Sequence, residues 1–390
     1  MFLLPRVSAG LLAAAFALEA ADQGLANLRF ADDRLQLHPL VALGAGYDSN
    51  PQGRSDPGTG EYRGNIKAGI DSTFALTPED TLDAGGYVQP TWRSQSEDRP
   101  DLLYQLSTGF IDRSPSLRVN AKLSVTRDDS FDIQSGTRPL KQDFTGVVGA
   151  ERMGGPTALD GTATATRTTY DRVDPNSGLA GRDNDNANVG MGIGPRFGRL
   201  SLTGRVTGEV TRYKDSTTAQ DSTGAGIGVG LKYIDLGTLE WTARLGYQAR
   251  RYQASATNAG VTVKAPTLGL GVSWRPGPRS RIGVDGSGGL EDSLTGVVSY
   301  RTALDTTASY QITPHASGSL GAGYSRYYDL EVPSGGERDV RDTITGKVGL
   351  GYDLYRGVRL GLDGRGDRAW VLIADSYVRW SIAADLGMRF

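Results

Sequence analysis

Long stretches of this sequence alternate strictly between apolar and polar residues. From residue 62 to residue 76, one set of alternate positions is apolar or small, and the other set is polar or charged. Successive side chains of a β-strand point to opposite faces, so this pattern predicts a strand with one apolar and one polar face. At about 15 residues, such a strand would be far longer than the usual five or six.

The same pattern recurs along the chain between two kinds of connection, which alternate. Short turns follow one end of each predicted strand and longer polar loops follow the other, so neighbouring strands are expected to run antiparallel. We predict about 18 strands, including one at 157–171 in which Ala alternates with Thr. The predicted strands lie near residues 37–49, 61–76, 80–93, 101–113, 116–128, 139–153, 157–171, 184–196, 200–214, 223–235, 239–252, 262–275, 279–291, 296–312, 316–328, 340–354, 358–368 and 374–390.

Two architectures share this alternation, a soluble sheet and a membrane barrel. A soluble sandwich would pack large apolar residues between its sheets. Here the apolar positions are rich in Gly and Ala, with 54 Gly in the 390 residues, and the polar positions carry charges at mid-strand. Those charges would be costly in a packed core but suit a watery lumen. The sequence therefore predicts an all-β fold: a transmembrane antiparallel up-and-down β-barrel with short periplasmic turns and longer extracellular loops.

Aromatic residues on the apolar positions cluster near the predicted strand ends. Two aromatic girdles, one at each membrane interface, are typical of such barrels. We predict girdle positions at Tyr47, Tyr62, Trp92 and Tyr104 beside long loops, and at Phe74, Phe110, Trp241, Trp274, Tyr310 and Tyr352 beside short turns.

The N-terminus has the composition of a secretory signal peptide. Arg6 precedes a short apolar run, and small residues follow it, so we expect cleavage between Ala17 and Ala21. The run is too short for a spanning helix. We therefore divide the chain into a signal peptide at 1–21, a short periplasmic or plug segment at 22–36, and the barrel at 37–390.

The sequence lacks the residues that most catalytic and cofactor-binding sites need. The chain has no Cys and only His38 and His315, neither of which is placed for a hydrolase triad. Gly224–Gly230 alternates without a following helix, so it predicts a strand and not a phosphate loop. The acidic stretch 183–186 lacks the spacing of a calcium site. We expect no enzymatic activity, cofactor or metal ion, and the net charge of −2 predicts no nucleic-acid partner.

Charged residues on the polar positions are the candidates for a functional site. Mixed signs in a water-filled bore can select solutes by charge, although they can equally pair across strands as part of the wall. The candidate pore-lining residues are Arg63, Lys67, Asp71, Asp83, Arg93, Arg118, Lys122, Arg205, Arg244, Lys347, Arg359, Asp363, Arg365, Arg379 and Asp385.

The two ends of the predicted barrel carry a family resemblance. The last strand alternates from Val378 to a terminal Phe390, and resembles the assembly signal of bacterial outer-membrane barrels. Gly46–Asn50, at the end of the first strand, resembles the opening of the putative β-barrel porin 2 family. The resemblance implies a barrel in the outer membrane of a Gram-negative bacterium, surrounded by membrane lipid and lipopolysaccharide. It also implies that the barrel-assembly machinery recognises the strand that ends in Phe390. It also implies export of an exopolysaccharide, with separate periplasmic export components as partners.

Other functions remain open at this point. A small-solute uptake porin would share the same pattern, as would a structural or receptor barrel plugged by its own loops. Each predicted loop is about a dozen residues or fewer, shorter than expected for a full constriction loop. This favours a fairly open bore.

Overall fold

The computed structural model describes residues 28–30, 34–51, 60–94, 100–129, 140–172, 183–214, 220–235, 237–253, 260–292, 298–331, 340–355, 357–371 and 376–389. A three-residue strand, β1 (Leu28–Phe30), precedes eighteen long ones. These are β2 (Leu35–Asp48), β3 (Glu61–Ala75), β4 (Asp80–Arg93), β5 (Asp101–Arg113), β6 (Leu117–Asp128), β7 (Leu140–Arg152), β8 (Thr157–Arg172), β9 (Asn184–Phe197), β10 (Leu200–Tyr213), β11 (Ser222–Asp235), β12 (Leu239–Tyr252), β13 (Val261–Gly277), β14 (Ser280–Asp292), β15 (Val298–Gln311), β16 (Ala316–Glu331), β17 (Val340–Tyr355), β18 (Val358–Val371) and β19 (Tyr377–Arg389).

The long strands form one closed antiparallel barrel. Each strand from β2 to β18 pairs with the next, and β19 pairs back with β2. This confirms the predicted fold and all eighteen strands, whose bounds differ from the predicted ones by at most three residues. No helix in the described part of the chain is long and apolar enough to cross a membrane.

The signal segment 1–21 and Phe390 lie outside the described residues. The short strand β1 pairs with the start of β2.

Contacts across the wall show which face of the sheet lines the bore. The Lys232 Nζ atom on β11 lies 2.8 Å from the Glu151 Oε1 atom on β7, four strands away. Four strands span roughly 19 Å along the wall, so only side chains on the concave side can meet across that distance. The opposite, convex face carries exposed large apolar residues such as Leu123, Ile227 and Leu320. The register places every predicted girdle aromatic on this convex face.

Glycines on the concave face have a role that the sequence did not suggest. A Cβ atom at Gly361 would lie 2.3 Å from the Asp385 carboxylate, and one at Gly351 would lie 2.3 Å from the Arg359 guanidinium. These polar side chains therefore lie flat against the wall over a glycine on the neighbouring strand. Besides the glycines of the apolar positions, the sequence therefore has glycines that keep inward side chains close to the wall.

The seam between β19 and β2 is closed by the same pentapeptide that carries the family resemblance. The Asp48 carboxylate accepts hydrogen bonds of 3.0 and 2.7 Å from the Nε and Nη2 atoms of Arg379. Ser49 exchanges two 2.9 Å hydrogen bonds with the backbone of Trp380, and the Asn50 amide donates to the Val378 carbonyl at 3.1 Å. Asp48 and Asn50 are 2% and 1% exposed. The motif thus extends the seam beyond the ladder, which ends at the pair Ser381–Asp48.

We predict that Asp48→Asn destabilises the barrel by about 3 kcal/mol, because it leaves the buried Arg379 guanidinium without its main counter-charge. The measurement is the denaturant midpoint of the refolded protein, followed by heat-modifiable gel mobility. Asp385→Asn, on the exposed part of the concave face, is the matched control and should leave the midpoint unchanged. Equal midpoints for the two variants would contradict a stabilising seam contact.

Candidate transport pathway

The structure places all fifteen predicted pore-lining residues on the concave face. The register gives each of them the same parity as Lys232 and Glu151. They do not form one cluster, because they divide between the two halves of the bore. Exposed residues lie in the half near the short turns, and are Arg118, Lys122, Arg244, Lys347, Arg359, Asp363 and Asp385. Their role in conduction stays a prediction.

The wall of the turn-side half carries mostly basic side chains on the arc from β6 to β12. Arg118, Arg205, Lys232 and Arg244 lie here around Asp160 and Glu151. The Arg205 guanidinium lies 2.5 Å from Asp160 and Lys232 lies 2.8 Å from Glu151, so two of these bases are neutralised. The arc on the other side of the bore carries both signs, with Asp285, Asp305, Asp363 and Asp385 beside Arg281, Lys347 and Arg359.

Uncharged hydrogen-bonding groups line the concave face of β8 and β9, with further members on β7 and β10 beside Asp143 and Glu209. Thr162, Thr164, Thr166 and Thr168 alternate on β8, where the sequence showed only an Ala–Thr repeat. Asn184, Asn186 and Asn188 face them from β9, and Thr145, Thr207 and Thr211 flank the track from β7 and β10. Thr162, Asn188 and Thr207 are exposed to the bore. We call these ten residues the hydroxyl–amide track.

Near the long loops, the concave face is shielded from solvent by paired charges. Arg379, 5% exposed, bridges Asp48 to Asp367, and Arg365 Nε donates to the Asp367 Oδ2 atom at 2.8 Å. Asp48 also forms an ion pair with Arg63, whose Nη2 atom lies 3.7 Å from the Asp48 Oδ2 atom. Further members lie at the loop ends of β3 to β6. Arg63 pairs with Glu61 and Asp129, and Arg93 pairs with Asp129 and Asp101. We call this set the loop-side charge network.

A second element narrows the loop-side half on the opposite arc. Concave Tyr252, Val263 and Ala265 on β12 and β13 form one buried apolar cluster with convex Leu290, Val298 and Tyr300 on β14 and β15. These opposite faces can meet only if the loop ends of β14 and β15 lie on the bore side of β12 and β13. The β13–β14 ladder accordingly stops at the pair Leu268–Gly288. The expectation of an open bore therefore does not describe this half.

Several of these residues were missed by sequence reasoning. Arg63, Arg93, Arg365 and Arg379 were predicted to line the pore, but their partners Asp48, Glu61, Asp101, Asp129 and Asp367 were not among the candidates. Parity alone assigns Asp48 and Asp367 to the concave face, because each lies two residues from another concave residue, Gly46 and Arg365 respectively. The inward position of β14 and β15 has no such signal, because their alternation continues unchanged through the bend.

No group of three or more metal-ligating side chains is placed to hold an ion in the described part of the chain. His38 lies opposite Asp71 in the β2–β3 ladder, and His315 lies in the turn before β16, where its backbone N–H donates to the Thr313 hydroxyl. The two histidines therefore belong to different parts of the barrel.

The sequence profile of the family described as Putative beta-barrel porin 2 matches residues 36–386. The chain belongs to this family. With the closed barrel and its two faces, this membership makes it a porin-like protein of the outer membrane that crosses the bilayer with its strands. No curated protein matches the chain in sequence.

Solved structures with a similar fold include two Pseudomonas aeruginosa barrels. OccK5 (OpdH) is 12% identical, with a TM-score of 0.50, and OccK9 (OpdG) is 11% identical, with a TM-score of 0.50. Each alignment covers 93% of this chain and 100% of the other. A bacterial polysaccharide outer membrane secretin is 10% identical over 90% of this chain and 98% of its own, with a TM-score of 0.39. At these identities, the first two similarities show the fold alone.

We predict that Tyr300→Ala raises the single-channel conductance of the refolded porin in planar bilayers. Removing this buried ring costs about 3–5 kcal/mol of packing, which weakens the attachment of the inward β14–β15 ends. Tyr310→Ala is the control, because this ring lies on the same strand and has the same convex parity, but it is 52% exposed and lies at the short-turn end. If both variants conduct like the wild type, the apolar cluster does not limit conduction.

Proposed function

We propose that this porin is a conduit through which an exopolysaccharide or related polymer leaves a Gram-negative cell. The observation that carries the proposal is an asymmetry of the bore wall on β18 and β19, where the concave face is exposed toward the periplasm and shielded toward the exterior. Asp363 and Asp385 in the turn-side half are exposed, whereas Asp48, Asp367 and Arg379 in the loop-side half are buried. A polymer arriving from the periplasm would find an accessible vestibule. A solute arriving from outside would first meet the shielded end.

The hydroxyl–amide track supports a saccharide as the transported polymer. Threonine hydroxyls and asparagine amides both donate and accept hydrogen bonds, as do sugar hydroxyls. A row of such groups offers successive sugars the same weak contacts, so a chain can advance without a deep binding site. Concave Tyr170 and Tyr213 lie at the loop ends of β8 and β10, where their rings could pack against the apolar faces of sugars.

The alternatives differ in what they require of the loop-side half. Uptake of small solutes needs a path from the exterior, and the mixed charges of the bore would then set its selectivity. A plugged structural or receptor barrel needs no path at all. We also propose that the chain has no enzymatic activity, that its assembly machinery reads the strand ending at Phe390, and that periplasmic export components deliver the polymer.

We predict that a neutral dextran oligosaccharide blocks the wild-type current in planar bilayers, and does so more strongly from the periplasmic side. Replacing Thr162 and Thr164 by Val and Asn188 by Leu should weaken this block about tenfold, because three hydrogen-bonding groups are lost. The dissociation constant is obtained from the concentration dependence of the block. Thr302→Val, on the convex face, is the matched control and should bind dextran as the wild type does.

Three results would each contradict the proposal. A stable current without any block by dextran would favour a small-solute porin. Stronger block from the extracellular side would favour uptake. A folded barrel that passes no current, even with Tyr300→Ala, would favour a plugged barrel.

A further inference from the structure

Three basic side chains on the convex face stand out because of where they lie. Arg212, Arg251 and Lys264 belong to β10, β12 and β13, and each lies within four residues of the loop end of its strand. All three have convex parity and are exposed. In an outer-membrane barrel, this part of the convex face meets the headgroups of the outer leaflet. We call the three residues the basic rim.

Convex basic residues near the loop ends of other strands have partners on the same surface. Arg127 lies 2.9 Å from Asp171, Arg167 lies 2.6 Å from Asp185, and Arg326 lies 3.7 Å from Asp342. The Arg368 guanidinium lies 4.6 Å from the Trp370 ring centre. The three residues of the basic rim form no ion pair within the described ranges. The rim therefore carries three positive charges without an ion pair at the membrane interface, and the Asp185 carboxylate opposite Arg212 in the β9–β10 ladder is already paired with Arg167.

An apolar groove begins directly beside the rim. Its outer end, next to Arg212, is lined by the apolar residues Phe144, Ala165, Ala187 and Val210 and by the Arg167–Asp185 ion pair. The same surface continues toward the membrane centre between larger side chains on either side, over small convex residues on β7 to β10. Those small residues are Gly146, Ala163, Ala165, Ala187 and Gly208.

An uncompensated cation beside a lipid phase is costly, and a phosphate group at the interface would compensate it. Arg212 and Lys264 lie three strands apart, which corresponds to roughly 14 Å along the wall. A phospholipid with a single phosphate, such as phosphatidylglycerol, brings one phosphate to this surface. A lipid that carries phosphates at both ends of a disaccharide, with acyl chains beneath, would match both the spread of charge and the groove.

We infer that the basic rim and the adjoining groove form a binding site for the bisphosphorylated lipid A part of lipopolysaccharide. The phosphates would contact Arg212, Arg251 and Lys264, and an acyl chain would lie along the small residues of the groove. The site lies on the outside of the barrel. It does not depend on which solute passes through the bore.

The test measures binding of bisphosphorylated lipid A to the refolded protein by native mass spectrometry. The variant carries Arg212→Gln, Arg251→Gln and Lys264→Gln together, and the control carries Arg127→Gln, Arg326→Gln and Arg368→Gln, which removes as many convex charges elsewhere. We expect the rim variant to bind at least roughly tenfold more weakly than the wild type. The control should bind as the wild type does. Heat-modifiable gel mobility shows that both variants are folded.

Two comparison lipids identify what the site recognises. Dephosphorylated lipid A should bind the wild type as weakly as bisphosphorylated lipid A binds the rim variant. Phosphatidylglycerol should bind the wild type and the rim variant equally. The inference is overturned if the control variant loses as much affinity as the rim variant, if dephosphorylated lipid A binds the wild type as tightly as the bisphosphorylated form, or if phosphatidylglycerol competes equally for the rim.

Discussion

The closed barrel depends on one seam, which is held by a ladder of nine residue pairs and by a buried ion pair at its loop end. Every other strand pair is joined by a turn or loop, but β19 and β2 come from opposite ends of the chain. Their pairing therefore has to be specified by side chains. The bidentate Arg379–Asp48 contact, 5% and 2% exposed, fixes the register at the loop end of the seam. A shift of one residue would bring Arg379 to the convex face and leave Asp48 unpaired.

Glycines on the concave face determine how the charged side chains of the bore are arranged. A bore lined by long charged side chains would be narrow if those chains extended toward its axis. Gly351 and Gly361 instead leave room for Arg359 and Asp385 to lie along the wall. The absence of a Cβ atom at these positions widens the turn-side vestibule by letting its charges lie flat.

Sequence alone predicted the barrel well, because period-two alternation is a local property and barrel closure follows from the need to pair every edge in lipid. It placed Arg205 and Arg379 on the concave face by parity. Parity cannot distinguish an exposed wall residue from a buried one, however, and Arg379 differs from Arg359 only in what surrounds it. The inward ends of β14 and β15 were also missed. Their position depends on a buried apolar cluster that includes Tyr300 and Val263, which are far apart in sequence.

The two halves of the bore differ in the kind of interaction that shields them. On one arc, positive and negative side chains alternate in the loop-side charge network. A charged group that passes could therefore replace one partner of an ion pair, so that few charges are left unpaired. On the other arc, the cluster around Tyr252 and Tyr300 is apolar and resists water. An apolar barrier excludes ions and small polar solutes by the cost of their desolvation. A flexible chain held by many weak contacts along the hydroxyl–amide track loses only a few of them at a time. If the porin exports a polymer, as proposed above, the same constriction would be a stronger barrier to small polar solutes than to a polymer that enters from the periplasmic side.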